Sequence, residues 1–66
     1  MRVELNGESK ELGEGTTLLS LIEQLTLAPE RVAVELNRDI VRRADWPAAQ
    51  LSDGDRVEIV HFVGGG

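Results

Sequence analysis

The residues best suited to chemistry stand at the end of the chain, where Gly64, Gly65 and Gly66 follow directly on His61-Phe62-Val63. Glycine lacks a Cβ, so three in a row form a thread that passes through a channel too narrow for side chains. At its end lies an α-carboxylate, a poor electrophile because its charge is delocalised and oxide is a hopeless leaving group. Conversion to an acyl-adenylate with ATP would supply a good leaving group, and a sulfur, nitrogen or oxygen nucleophile could then attack the Gly66 carbonyl carbon. In this reading the tail is a substrate, not a catalyst. Gly66 bears the reaction, and Gly64 and Gly65 give it slim passage. A terminal glycine run also serves as flexible filler, but this one joins an apolar segment with no serine or charged spacer.

Other reactive side chains are sparse. The sequence has one histidine, His61, and no cysteine, which removes disulfides, thiolate nucleophiles and thiolate metal sites together. No His or Asp/Glu cluster has metal-ligand spacing, so no metal is expected. No partner carboxylate or nucleophile is placed with His61 by sequence, and edge packing near the tail is its simpler role. Arg42 and Arg43 are a conceivable phosphate site, but beside Asp39 and Asp45 they read as a solvated ion-pair face.

Composition narrows the partners. Twelve acidic against seven basic residues give a net charge of −5, which disfavours nucleic acid and anionic membranes. Trp46 and Phe62 are the only aromatics available for stacking on bases. An acidic surface suits a basic patch on a protein partner, and it also keeps a small protein soluble. With 66 residues, 41% of them hydrophobic, the chain can build one small domain and one core, with no walled substrate cavity of its own. Neither a signal-peptide pattern nor a membrane-spanning stretch is evident, and a cytoplasmic location is the expectation.

The elements that must position the tail follow from periodicity. Met1 to Leu5 alternates as a half-buried strand, Asn6-Gly7 supplies a two-residue hairpin turn, and a second strand runs from Glu8 to about Leu12. Gly13-Glu14-Gly15 breaks it, and Thr16 or Thr17 caps a helix whose apolar stripe is Leu18, Leu21, Ile22 and Leu25, some two and a half turns. Leu27-Ala28-Pro29-Glu30 forms an exit loop. Val32, Val34 and Leu36 mark a third strand, and Asn37-Arg38 turns into a short strand from Asp39 to Arg42. Arg43 to Gln50 reads as a short helical turn, with Asp45 a possible cap, Pro47 in its first turn and Trp46 a satellite of the core. Asp53-Gly54-Asp55 is a tight turn before a last strand from Arg56 to Val63.

Strong first and last strands with a single covering helix indicate an α+β chain of β-grasp (ubiquitin-like) type, a mixed sheet of four to five strands under one main helix. Residues 1–63 are the β-grasp domain and residues 64–66 a flexible tail. The first and last strands of the chain should pair side by side in parallel, a pairing that needs the helical crossover. With Val57 and Ile59 facing the helix, alternation sends Glu58, Val60 and Phe62 to the open face. Val60 and Phe62, extended by Ala33 on the neighbouring strand, would form an apolar docking patch beside the tail. Leu19, off the main stripe, is a lesser candidate for partner contact.

Across nearly its whole length the chain resembles the ubiquitin-like sulfur carriers of thiamine biosynthesis, the ThiS family. The resemblance rests on Asn6-Gly7, Gly15-Thr16-Thr17 before Leu18-Leu19 and Leu21-Ile22, Val32-Ala33-Val34-Glu35-Leu36-Asn37, Ile40-Val41 with Arg42 and Trp46, Asp53-Gly54-Asp55, and His61-Phe62-Val63-Gly64-Gly65-Gly66. It implies that a ubiquitin-activating-enzyme-like adenylyltransferase uses ATP to adenylate Gly66. It further implies that a sulfurtransferase or cysteine desulfurase supplies sulfur for a thiocarboxylate, and that thiazole synthase takes the sulfur into the thiazole ring. It also implies that the carrier itself binds no cofactor. The absence of cysteine fits, since a carrier without a thiol cannot hold a persulfide. Two alternatives stay open. One is the small subunit of molybdopterin synthase, which shares fold and tail but tends to show prolines shortly before its glycines. The other is a non-catalytic β-grasp interaction module.

Overall fold

The structure is a computed structural model and describes residues 1–62. Five strands, β1 (Arg2–Leu5), β2 (Glu8–Glu11), β3 (Val32–Leu36), β4 (Asp39–Val41) and β5 (Arg56–His61), form one sheet in the order β2-β1-β5-β3-β4. One helix, α1 (Leu18–Gln24), lies between β2 and β3 in the chain. The expected parallel pairing is present at the centre, with Glu4 opposite Arg56 and Leu5 opposite Val57. All other pairings are antiparallel.

Local chemistry accounts for the turns. Asn6 (φ 48°) and Gly7 (φ 83°) are both left-handed, as a two-residue hairpin requires. Asn37 and Arg38, at φ 51° and 75°, make the corresponding turn between β3 and β4. Thr17 caps α1: its hydroxyl accepts from the Ser20 amide at 3.1 Å while the Ser20 hydroxyl accepts from the Thr17 amide at 2.8 Å. Thr16, the other candidate cap, is buried and donates to the Gly13 carbonyl instead.

At the start of β1, the Met1 ammonium donates to Glu11 Oε2 and to the Leu12 carbonyl. The bond to Glu11 favours its charged form and raises its pKa above the usual amine value.

The core contains Val3, Leu12, Leu18, Leu21, Ile22, Val32, Val34, Trp46, Leu51 and Val57. Several details differ from expectation. The helix spans seven residues, about two turns, because Leu25 already serves as its C-cap. Pro29 opens a short 3₁₀ turn, Pro29–Arg31, rather than a plain loop. The segment Arg43–Ala48 is also 3₁₀, but Asp45 lies inside it and no side chain caps it, while Pro47 stands toward its end.

Trp46 is no satellite. At 1% exposure it is the largest fully buried side chain, and its indole N–H donates to the Val41 carbonyl at 2.9 Å. The 3₁₀ segment therefore acts as a second lid beside α1. Backbone bonds join the two, from Leu18 N–H to the Ala49 carbonyl and from Leu51 N–H to the Thr16 carbonyl, both 2.9 Å. With α1 and Trp46 on one face, the other face of the sheet is left open, and alternation along β5 determines what it shows.

Candidate functional site

Inward and outward positions on β5 follow the expected order. Val57 is fully buried and Ile59 packs against the core, while Val60 is 58% and Phe62 52% exposed. Cross-strand partners share a face, so the register of Ala33 opposite Val60 puts Ala33 beside Val60 on the open side. The structure thus brings Val60, Phe62 and Ala33 together at the end of β5 that leads to the tail. Gly64, Gly65 and Gly66, with Val63 and the 63/64 domain boundary, lie outside the described residues.

Sequence reasoning missed Ile40. It is 75% exposed on the edge strand β4, opposite Glu35 and therefore diagonal to Ala33 on the same face. The signal was available in the short run Asp39-Ile40-Val41: once Val41 faces the core, Ile40 must face out.

Charge surrounds this apolar group. Glu35 and Glu58 stand directly opposite one another, a like-charge pair that costs stability, and neither makes an ion pair among the described residues. Farther back on the same face, Arg56 Nε bonds Glu4 Oε2 at 3.0 Å, both side chains about half exposed. At such exposure solvent screens most of the attraction.

His61, opposite Val32, is exposed rather than packed at the edge. Its ring makes no hydrogen bond among the described residues. Arg42 and Arg43 are exposed, and no ion pair joins them to Asp39 or Asp45 among the described residues. Leu19 is half-buried against the core. Among the described residues, no group of three or more potential ligands could hold a metal, and no helix is long and apolar enough to cross a membrane. An open depression of about 450 Å³ lies over β1 and β2, lined by Arg2, Glu4, Ser9 and Asp53 among others. It is distinct from the Val60–Phe62 patch, and no reactive pair lines it.

Among the described residues, then, the open face of the sheet carries an exposed apolar group formed by Val60, Phe62, Ala33 and Ile40. What such a face accompanies is indicated by comparison with known proteins. The family model described as the ThiS family matches residues 3–66. A protein named thiazole synthase from Magnetococcus marinus is 47% identical over all 66 residues, which make up 20% of its length. The sulfur carrier protein ThiS of Bacillus subtilis is 37% identical over 65 residues, covering 97% of this chain and 98% of its own. The crystal structure of a thiamine biosynthesis protein (ThiS) from Geobacter metallireducens superposes with a TM-score of 0.85 at 35% identity, covering both chains fully. The chain spans about a fifth of the length of the thiazole synthases it matches.

Proposed function

This chain belongs to the ThiS family, and from that premise we propose that it carries sulfur on the α-carboxylate of Gly66 for thiazole formation in thiamine biosynthesis. The observation that carries the reading is the family match running through all three glycines, residues 3–66.

In this scheme a carboxylate oxygen of Gly66 attacks the α-phosphorus of ATP on an adenylyltransferase, and pyrophosphate leaves. The terminal sulfur of a persulfide on a sulfurtransferase or cysteine desulfurase then adds to the acyl carbon and AMP departs, leaving an acyl disulfide; a second thiol attacks the enzyme's sulfur, forms a disulfide with it and releases the thiocarboxylate. A thiazole synthase is the proposed acceptor. Relatives that bear that name contain a stretch similar to this whole chain, which favours a working association between the two activities. The carrier supplies position, and its partners supply catalysis.

Docking falls to Val60, Phe62 and Ala33, with the unneutralised Glu35 and Glu58 beside them favouring a partner with a basic rim. Replacing both Val60 and Phe62 by alanine should raise the Kd for the adenylyltransferase about tenfold or more. Because both side chains are half exposed or more, thermal unfolding should shift by only a few degrees. Unchanged affinity in calorimetric titration would place docking elsewhere.

The function itself is tested by intact-mass spectrometry after incubation with ATP, an adenylyltransferase and a sulfur source. One terminal oxygen should be exchanged for sulfur. A mass that stays the same, with an activating enzyme shown to be competent on another carrier, would overturn the proposal.

A further inference from the structure

The strand that leads to the tail is held on its β1 side by a rung that is not backbone. Along the parallel β1–β5 ladder, Gly54 N–H bonds the Arg2 carbonyl at 2.8 Å, Glu4 N–H bonds the Asp55 carbonyl at 2.9 Å, and Asn6 N–H bonds the Val57 carbonyl at 2.9 Å. At Asn6 the chain turns away into the hairpin, its φ at +48°, and β1 has no further peptide group to offer. The Asn6 side chain takes its place. Its Oδ1 accepts from Ile59 N–H at 2.7 Å, and its Nδ2 donates to the Ile59 carbonyl at 3.3 Å. A primary amide has the donor and acceptor of a peptide group, so it continues the ladder one rung past the strand's end.

Beyond that rung support is one-sided. Phe62 N–H still bonds the Arg31 carbonyl on the β3 side at 2.7 Å. By alternation, His61 N–H and C=O point toward the β1 side, where they meet no hydrogen-bonding partner among the described residues. Ile59 is thus the last residue of β5 bonded on the β1 side. Without the Asn6 amide that point retreats to Val57, two residues or about 7 Å of strand.

We propose that Asn6 is a positioning residue for the carrier reaction: its side-chain amide fixes the line along which β5 leaves the fold toward Gly66. The tail's role rests on the sulfur-carrier reading; the grip on β5 does not. Both Asn6–Ile59 bonds are solvent-exposed, so water can replace the amide and its loss should loosen the strand locally without unfolding the domain.

Asn6→Gly separates the two jobs of this residue, because Gly-Gly also forms the left-handed hairpin turn. Asn6→Asp is the second variant, keeping the acceptor for Ile59 N–H but setting an anion against the Ile59 carbonyl. Amide-exchange protection at Ile59 should fall about tenfold or more in Asn6→Gly and by a smaller factor in Asn6→Asp, and in both it should stay within about threefold at Val57, Val34 and Leu21. The steady-state ¹H–¹⁵N NOE of His61 and Phe62 should fall with it. With the adenylyltransferase, KM should rise between about twofold and tenfold with kcat at saturation unchanged, since only the fraction of carriers with an ordered strand is ready to bind.

Unchanged protection at Ile59, or an equal loss across the whole domain, would overturn the proposal. So would a rigid His61 and Phe62, or an unaltered KM, in variants whose Ile59 amide is exposed. If the wild-type chain takes up no sulfur, the carrier reading fails by itself, and the NMR measurements still decide whether Asn6 aligns the strand.

Discussion

A protein of these 66 residues with one alanine added after Gly66 should take up no measurable sulfur, while binding the adenylyltransferase as tightly as the parent. The argument is geometric. One added residue moves the reacting carboxylate by up to about 3.5 Å along the thread, and misplacement of a reacting group by about 1 Å can already cost a hundredfold. Docking should survive because Val60, Phe62 and Ala33 are unaltered. Deleting Gly66 should fail for the opposite reason, the thread then being too short. Gly65→Val keeps the length but puts a β-branched side chain into the narrow passage, and its uptake should also fall at least about a hundredfold. Mass spectrometry of each variant, paired with a binding titration, separates loss of reaction from loss of docking. Normal sulfur uptake by the extended chain would show that the terminal carboxylate is not the handle.

Much of this arrangement is written in local pattern. The left-handed Asn6-Gly7 turn, the Leu18, Leu21 and Ile22 stripe, and the alternation of Val32, Val34 and Leu36 each depend on near neighbours. They are legible for that reason. The outward aim of Val60 and Phe62 follows once Val57 is assigned to the core, since the side-chain period of a strand is two. Long-range pairing is another matter. Asn6 reads as a turn residue and is one, but its amide contact with Ile59 spans 53 positions and has no local signal. Asn37 repeats the lesson, its Oδ1 accepting from Arg56 N–H at 2.9 Å across 19 positions. Both turns carry asparagine where glycine would serve the backbone, and that choice is the one trace of the second role that the sequence holds.

The central place of Trp46 in the core lacks a local signal for a related reason. The segment Arg43 to Gln50 has no clean helical or strand period, so nothing local indicates which side chain turns inward. In a domain this small the largest side chain is needed wherever the sheet is otherwise uncovered. The seven residues of α1 are too few to cover five strands, and the indole covers what α1 leaves bare. The 3₁₀ form of that segment places Trp46 over the sheet while its N–H still reaches the Val41 carbonyl.

Trp46→Ala should therefore leave the domain largely unfolded at 37 °C. Truncating a buried tryptophan costs about 3–5 kcal/mol. A chain of this size is expected to have about 3–10 kcal/mol in total, and one with no cysteine to form a disulfide sits toward the lower end. Trp46→Phe keeps most of the buried ring and loses the bond to Val41, which should cost about 1–2 kcal/mol and leave a folded domain with a lower urea midpoint. Since Trp46 is the only tryptophan, the transitions have to be followed by far-UV circular dichroism, not by indole fluorescence. Sulfur uptake gives the second readout. Trp46→Phe should load at nearly the parent rate, because Val60, Phe62 and the Asn6 rung lie in the sheet and are untouched. Trp46→Ala should load poorly in proportion to its unfolded fraction and recover as the temperature is lowered. A well-folded Trp46→Ala protein would mean that α1 alone holds the core, and the 3₁₀ segment would then be a connection rather than a lid.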